Sequence, residues 1–159
     1  MRIVRYKTRK GLRIGLVEHR NVIDITEIGR YAFRSFTDLI SRSESEKISI
    51  DDLIEKTLKQ SSSKLDRIFY DELDKQKGDR RFVIPLDPPE VWGCGVTYKR
   101  SKGAREAETQ VKGIYDLVYD AQRPEVFFKA TSRCCVGPNE VIGIRSDSSW
   151  NAPEAELAF

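Results

Sequence analysis

The sequence predicts an α+β fold in which strands come first, helices follow and strands return, and three observations carry that prediction. Apolar residues alternate or run together over residues 1–6, 12–18 and 22–25, with Gly11 and the Arg20-Asn21 pair as turn positions between them. From Thr26 to Leu73 the apolar positions fall at mixed three and four spacings, the period of a helix. Short apolar runs bounded by proline and glycine reappear over residues 91–96, 126–130 and 141–145.

Taken in order, the first three runs make a small antiparallel meander. Thr26 is placed to cap a helix carrying Ile28, Phe33, Phe36, Leu39 and Ile40, and polar residues 41–47 read as a linker. Ser49-Ile-Asp-Asp52 opens a second helix with Leu53, Ile54 and Leu58 on one face, ended by Gln60-Ser-Ser-Ser63. Leu65, Ile68, Phe69 and Leu73 form a third apolar stripe, whose expected role is core. Residues 81–89 hold three prolines, each of which pushes its predecessor out of the helical region, so this stretch is an extended entry.

Residues 91–96 are short, apolar and glycine-interrupted, which suits a buried strand where something approaches the backbone closely. Residues 98–119 carry Lys99, Arg100, Arg105, Glu106 and Glu108 at helical spacing and read as a solvated helix. Residues 126–130 and 141–145 are strand-like, with a turn at Val136-Gly-Pro-Asn-Glu140 between them. The chain runs on to Glu154 and Glu156 and ends in Leu157-Ala-Phe159. An apolar strand is an unusual place for a natural terminus, so a portion of a longer protein is expected.

Composition narrows the function classes. The 159 residues are 39% apolar, enough for a sizeable core, and they contain no apolar run long enough to cross a bilayer. The opening Met1-Arg-Ile-Val-Arg-Tyr-Lys lacks the apolar segment of a signal peptide, so the expectation is a cytoplasmic protein with no membrane partner. The net charge of +3 comes from 28 bases and 25 acids spread along the chain, a solvated surface rather than a nucleic-acid footprint. Cys94, Cys134 and Cys135 form no disulfide framework and no zinc spacing; all three read as reduced, with Cys94 packed inside. The single His19 lies in a turn-like Glu-His-Arg-Asn stretch.

The chemistry concentrates after residue 91. Glu154 and Glu156 are separated by one alanine. On a strand the period of two would put both carboxylates on one face, where they could chelate a hard cation through oxygen. The same letters also suit a helix start: Asn151 as cap, Pro153 in the first turn, and acids near the positive end of the dipole. Local pattern leaves both open.

Trp92-Gly-Cys-Gly-Val-Thr-Tyr98, Tyr119-Asp-Ala-Gln-Arg-Pro-Glu-Val-Phe-Phe-Lys-Ala-Thr131, Val136-Gly-Pro138 and Trp150-Asn-Ala-Pro-Glu-Ala-Glu-Leu-Ala158 occur in this order. The series resembles the fumarylacetoacetate hydrolase superfamily, and within it the branch of 2-keto-3-deoxy sugar acid dehydratases. The resemblance rests on residues 91–159, under half of the chain. It implies a variable N-terminal region of meander and helices over residues 1–88, and over residues 89–159 the first part of a mixed β-roll catalytic domain.

In that superfamily the roll holds one Mg2+ or Mn2+ by a Glu-x-Glu pair and an aspartate further along. Glu154 and Glu156 match the pair, and the aspartate would lie beyond Phe159. The activity implied is dehydration of a 2-oxo sugar acid, in which the metal acts as a Lewis acid on the 2-oxo group. A base removes a C3 proton and an acid protonates the departing C4 hydroxyl.

Glu125, in Arg-Pro-Glu, is the acid/base candidate by resemblance; its plain alternative is an exposed turn glutamate. Lys129 matches a lysine near the substrate, and flanking aromatics make it less ordinary as a surface lysine, because burying an ammonium requires a partner. Thr97 and Tyr98 match substrate-binding positions, with core hydrogen bonding an equal reading for Tyr98. The segment after Tyr98 becomes, by resemblance, a lid closing over substrate. Hydrolases of the superfamily carry a histidine shortly after the tyrosine. This chain has Lys99, Arg100 and Ser101 there, which favours the dehydratase branch.

Two alternatives stand beside it. One is hydrolysis of an acylpyruvate or decarboxylation of an oxo acid on the same scaffold, with Glu106 or Glu108 as base. The other is a non-catalytic role in association, since an unpaired strand edge invites pairing with another chain. A homodimer is among the expected partners.

Overall fold

The structure, a computed structural model, describes residues 1–28, 31–61, 64–75, 78–109, 113–151, 153 and 156–158. It divides into two compact units, one of Met1–Pro85 with Val136–Phe159 and one of Leu86–Cys135.

In the first unit, strands β1 (Ile3–Thr8), β2 (Gly11–Glu18) and β3 (Asn21–Asp24) form the expected antiparallel meander. Gly11, at φ 101°, takes the left-handed backbone that closes the first hairpin, and His19, at φ 53°, does the same in the second. A pair of two-residue strands follows, β4 (Glu27–Ile28) and β5 (Tyr31–Ala32). Next come helices α1 (Phe36–Glu46) and α2 (Ile50–Gln60), strand β6 (Arg67–Phe69), helix α3 (Tyr70–Asp74) and strand β7 (Arg81–Phe82). β6 pairs with β3 and β7 with β1, which gives one five-stranded sheet in the order β6-β3-β2-β1-β7.

The period of two sorts the sheet into two faces, and each builds a core. Ile14, Leu16 and Ile23 pack on one face against Leu39 of α1 and Leu53 and Ile54 of α2. Tyr6 and Val22 pack on the other with Leu73 of α3 and Phe82 of β7. Arg13 and Asp24 share the Tyr6 face and bond at 2.8 Å, with side chains 14% and 10% exposed.

Three sequence expectations give way here. The cap of α1 is Ser35, whose Oγ accepts from the Asp38 amide at 3.1 Å, and Thr26 is followed by strand β4 rather than by a helix. The Thr26 hydroxyl accepts instead from the buried Ile14 amide at 2.8 Å, which ties it into the sheet. Most of residues 41–47 continue α1 rather than linking helices; Glu46 binds Arg42 at 2.8 Å and Lys56 of α2 at 2.9 Å. The stripe Leu65, Ile68, Phe69 and Leu73 is split, because pairing with β3 takes residues 67–69 into a strand before α3 begins. Ser49 caps α2 as expected, accepting from Asp52 N–H at 3.0 Å.

The second unit contains strand β8 (Val91–Cys94), helices α4 (Lys99–Thr109) and α5 (Ile114–Tyr119), strand β9 (Val126–Ala130) and a short 3-10 helix at Ser132–Cys134. β8 and β9 pair antiparallel. After this unit the chain turns at Pro138-Asn139, with Asn139 at φ 61°, as the sequence suggests. Residues 141–145 form no strand, and Val141, Ile142 and Ile144 are 88%, 73% and 69% exposed. Among the described residues no helix is long and apolar enough to cross a membrane.

Candidate active site

The two-stranded sheet places the acid/base candidate. β8 carries Gly93 in its interior and Gly95 just past its end, two residues apart, so one face of that backbone is bare. Phe127 lies opposite Gly93 and fills the bare face: an added Cβ at Gly93 would meet Phe127 Cζ at 2.6 Å. Glu125 does the same one step on, with Oε2 2.5 Å from where a Cβ on Gly95 would stand. The Gly95 amide donates to the Glu125 carbonyl at 2.8 Å and extends the ladder by one bond. On the other face Trp92 meets Phe128 edge to face, ring centroids 5.8 Å apart, and its indole N–H donates to Glu90 Oε2 at 2.9 Å.

The sequence reading of a glycine-interrupted strand with something close to its backbone therefore holds. The expectation of a buried strand does not: of its four residues only Gly93 is buried, while Trp92 and Cys94 are exposed. Cys94, expected to pack inside, is instead a free thiol at the surface, opposite Val126 of the partner strand. Cys134 and Cys135 are free as well, as expected.

Lys129 sits at an irregularity. Trp92 pairs with Phe128 and Val91 with Ala130, so Lys129 is an extra residue on β9, a bulge that re-aims the side chains around it. Its side chain is exposed. Beyond Gly95 the chain turns through Val96 at φ 48°. A β-branched residue there is a backbone outlier, held in place by its surroundings. No feature of the sequence announces it. The turn delivers Thr97 and Tyr98, both exposed, to the start of α4. Thr97, Tyr98, Glu125 and Lys129 thus all lie in one unit, Thr97 and Tyr98 past the exit of β8, Glu125 just before β9 and Lys129 on it. α4 is exposed or half-exposed wherever its side chains are described, Glu106 among the half-exposed, as a solvated helix should be.

Glu154 and its neighbours Ala152 and Ala155 lie outside the described residues. Glu156 is described, exposed and in no regular element, and it belongs to the first unit. Among the described residues no group of three or more His, Cys, Asp or Glu is arranged to hold a metal ion. The first unit has a polar cleft of about 790 Å³ bordered by Arg9, Lys10, Asp66 and Asp79. Of its charges, Arg9 pairs with Asp79 at 2.6 Å and Lys10 with Asp66 at 3.1 Å, while Arg67 and Arg80, which also line it, pair with Glu18 and Glu72.

Comparison with known proteins gives the site a context. Over 89 residues, 56% of the chain, the sequence is 48% identical to a probable 2-keto-3-deoxyxylonate dehydratase of Haloferax volcanii, of which that stretch is 31%. Over 87 residues, 52% of the chain, it is 52% identical to the 2-dehydro-3-deoxy-D-arabinonate dehydratase of Saccharolobus solfataricus, covering 29% of it. Among solved structures, the apo form of 2-keto-3-deoxy-D-arabinonate dehydratase aligns with TM-score 0.59 and 33% identity, over 94% of this chain and 46% of that one. The same enzyme complexed with magnesium and 2,5-dioxopentanoate aligns with TM-score 0.58 and 34% identity, again over 94% and 46%. No family model matches the chain. The matches therefore span about a third of the curated relatives' length and under half of the solved chains. Within those bounds the resemblance to the sugar acid dehydratase branch stands.

Proposed function

We propose that this chain, related through more than half of its length to 2-keto-3-deoxy sugar acid dehydratases, carries the Glu125 and Lys129 part of a lyase that removes water from such an acid. The observation that supports this most is Glu125 itself, whose carboxylate is held against the bare backbone of Gly95, two residues before Thr97. In this reading residues 1–88 are the variable N-terminal region and residues 89–159 part of the mixed β-roll. The working location is the cytoplasm.

Glu125 takes a proton from C3 of the 2-oxo acid, where the adjacent carbonyl makes it acidic, and returns one to the C4 hydroxyl as it leaves as water. The pair of electrons from the broken C3–H bond becomes the C3–C4 double bond. With a five-carbon acid, transfer of a C5 proton to C3 and of the C5 hydroxyl proton to C4 replaces the C3–C4 double bond by an aldehyde at C5, and the atoms balance to a 2,5-dioxo acid. A compound of that class is bound in one of the related structures. Lys129 supplies a positive charge for the substrate carboxylate, and Thr97 and Tyr98 offer hydroxyls to its sugar oxygens.

A divalent cation, Mg2+ or Mn2+, would add Lewis-acid polarisation of the 2-oxo group. Glu154 and Glu156 are ligands of the right kind, hard oxygens, but they are two where Mg2+ is best served by more, so their own affinity is weak. The described residues do not complete the set.

The test is turnover of 2-keto-3-deoxy-arabinonate by this chain with Mg2+ present, followed by aldehyde formation. The expected result is metal-dependent product, lowered about 100-fold or more by Glu125→Gln. Absence of product at every Mg2+ and Mn2+ concentration would count against the reading.

A second reading, association without catalysis, is favoured by the exposed aromatic surface of Trp92, Phe127 and Phe128. Sedimentation at increasing concentration separates the two. Self-association without turnover supports the second reading, and a homodimer that turns over substrate belongs to the first.

A further inference from the structure

Glycine is needed where the backbone takes a left-handed φ or where no side chain fits. At the exit of β8 the two needs fall on adjacent residues. The left-handed position is Val96, at φ 48°, while Gly95 is absent from the positive-φ residues. The glycine has therefore been placed where space is short, and a β-branched residue bears the torsional strain that a glycine would have relieved. What occupies that space is one side chain. A Cβ on Gly95 would stand 2.5 Å from Glu125 Oε2 and 3.3 Å from both Glu125 Cβ and Cδ, and no other residue comes as near.

We infer that Gly95 is a positioning residue for Glu125, its missing side chain fixing where the acid/base carboxylate lies. This deepens the proposed dehydratase reading and rests on it for its catalytic meaning. The backbones of the two residues are tied by the 2.8 Å bond from Gly95 N–H to the Glu125 carbonyl, so neither main chain can retreat from an added methyl. The carboxylate, the free end of a flexible side chain, is what moves. Gly93 behaves differently, because the neighbour there is the stiff Phe127 ring, with Cζ, Cε2 and Cε1 at 2.6, 2.9 and 3.2 Å from the added atom. Gly93→Ala should therefore cost stability, whereas Gly95→Ala should cost geometry.

The experiment makes Gly95→Ala in the full chain and reads three things: melting temperature, NMR contacts between residue 95 and the Glu125 side chain, and kcat apart from KM with 2-keto-3-deoxy-arabinonate and Mg2+. The expected result is an unchanged melting temperature, loss of the contacts seen in the parent, and a kcat about 100-fold lower at a KM within about twofold, the effect of misplacing a reacting group by about 1 Å. If Glu125→Gln abolishes turnover while Gly95→Ala leaves kcat intact, the positioning role is overturned and the dehydratase reading survives. If Glu125→Gln has no effect, or the chain shows no turnover, the dehydratase reading fails and the NMR contacts alone decide the placement. A Glu125 side chain that keeps its place in the Gly95→Ala variant overturns the inference. Should Gly95→Ala unfold the protein, the double variant with Glu125→Ala decides: recovery of folding identifies the carboxylate as the clashing group, and continued unfolding overturns the inference.

Discussion

The Arg13–Asp24 pair shows how one residue can couple this fold to pH. Burial pushes the Asp24 carboxyl up, but the Arg13 guanidinium at 2.8 Å and the Thr26 amide at 2.9 Å outweigh it and hold the group below the usual aspartate value. A carboxyl with a depressed folded-state pKa adds stability above its unfolded pKa, about 3.9, and loses it as pH falls through the folded value. The parent should therefore lose stability in acid below about pH 4, and Asp24→Asn should flatten that part of the profile. At neutral pH the same variant should cost about 1.5–3 kcal/mol in urea unfolding, the worth of a charged hydrogen bond at a site that is nearly closed to water. An equal acid slope in the variant would remove Asp24 from the account. At this scale the sequence was readable in part. The interrupting glycines foretold a close approach to β8, whereas Glu125 and Lys129 were candidates through family resemblance alone. Val96 was not legible, since a valine carries no mark of a left-handed backbone, and neither was Asp24, whose burial depends on strands distant in sequence.

Helix boundaries show where element-scale reading succeeds and where tertiary structure overrides it. Ser49 and Asp52 identify the start of α2 because nothing else competes for the serine hydroxyl. Thr26 looks like as good a cap, yet its hydroxyl serves the buried Ile14 amide, and the helix waits for Ser35. Strand pairing likewise claims residues 67–69 from an apolar stripe of helical appearance, because β3 offers an edge. Such outcomes depend on the partner across the sheet, which no local window contains. The two hydroxyls should differ in worth. Ser35→Ala removes an exposed cap, costing about 1 kcal/mol. Thr26→Ala strands a buried amide, costing about 1–3 kcal/mol. Chemical denaturation of both variants checks the order, and a larger loss at Ser35 would mean that the Thr26 bond carries little.

At the scale of the whole molecule, the α+β order was legible from periodicity alone, whereas the distribution of the core was not. The described buried apolar side chains all belong to residues 1–85, on the two faces of the five-stranded sheet. In the second unit the only buried residue described is Gly93, and the aromatic side chains of β8 and β9 stand exposed, Trp92 by 56% and Phe128 by 52%. Sequence reading treats an apolar strand as a buried one, because that is where such strands usually lie; it has no means of counting the layers that cover it. Local stability follows buried contacts, and amides whose bonds lie at an uncovered surface open at little free-energy cost. Hydrogen exchange should therefore divide the chain. Amides of β1–β3 should exchange only through cooperative opening of the first unit, and those of β8 and β9 many-fold faster. Leu53→Ala, which removes a fully buried side chain from the first core, should cost about 2–5 kcal/mol and accelerate exchange in β1–β3. Exchange in β8 and β9 should not change, since their opening draws on none of those contacts. Equal protection in both sheets of the parent, or acceleration spreading to β8 and β9 in the variant, would mean that the two units unfold as one.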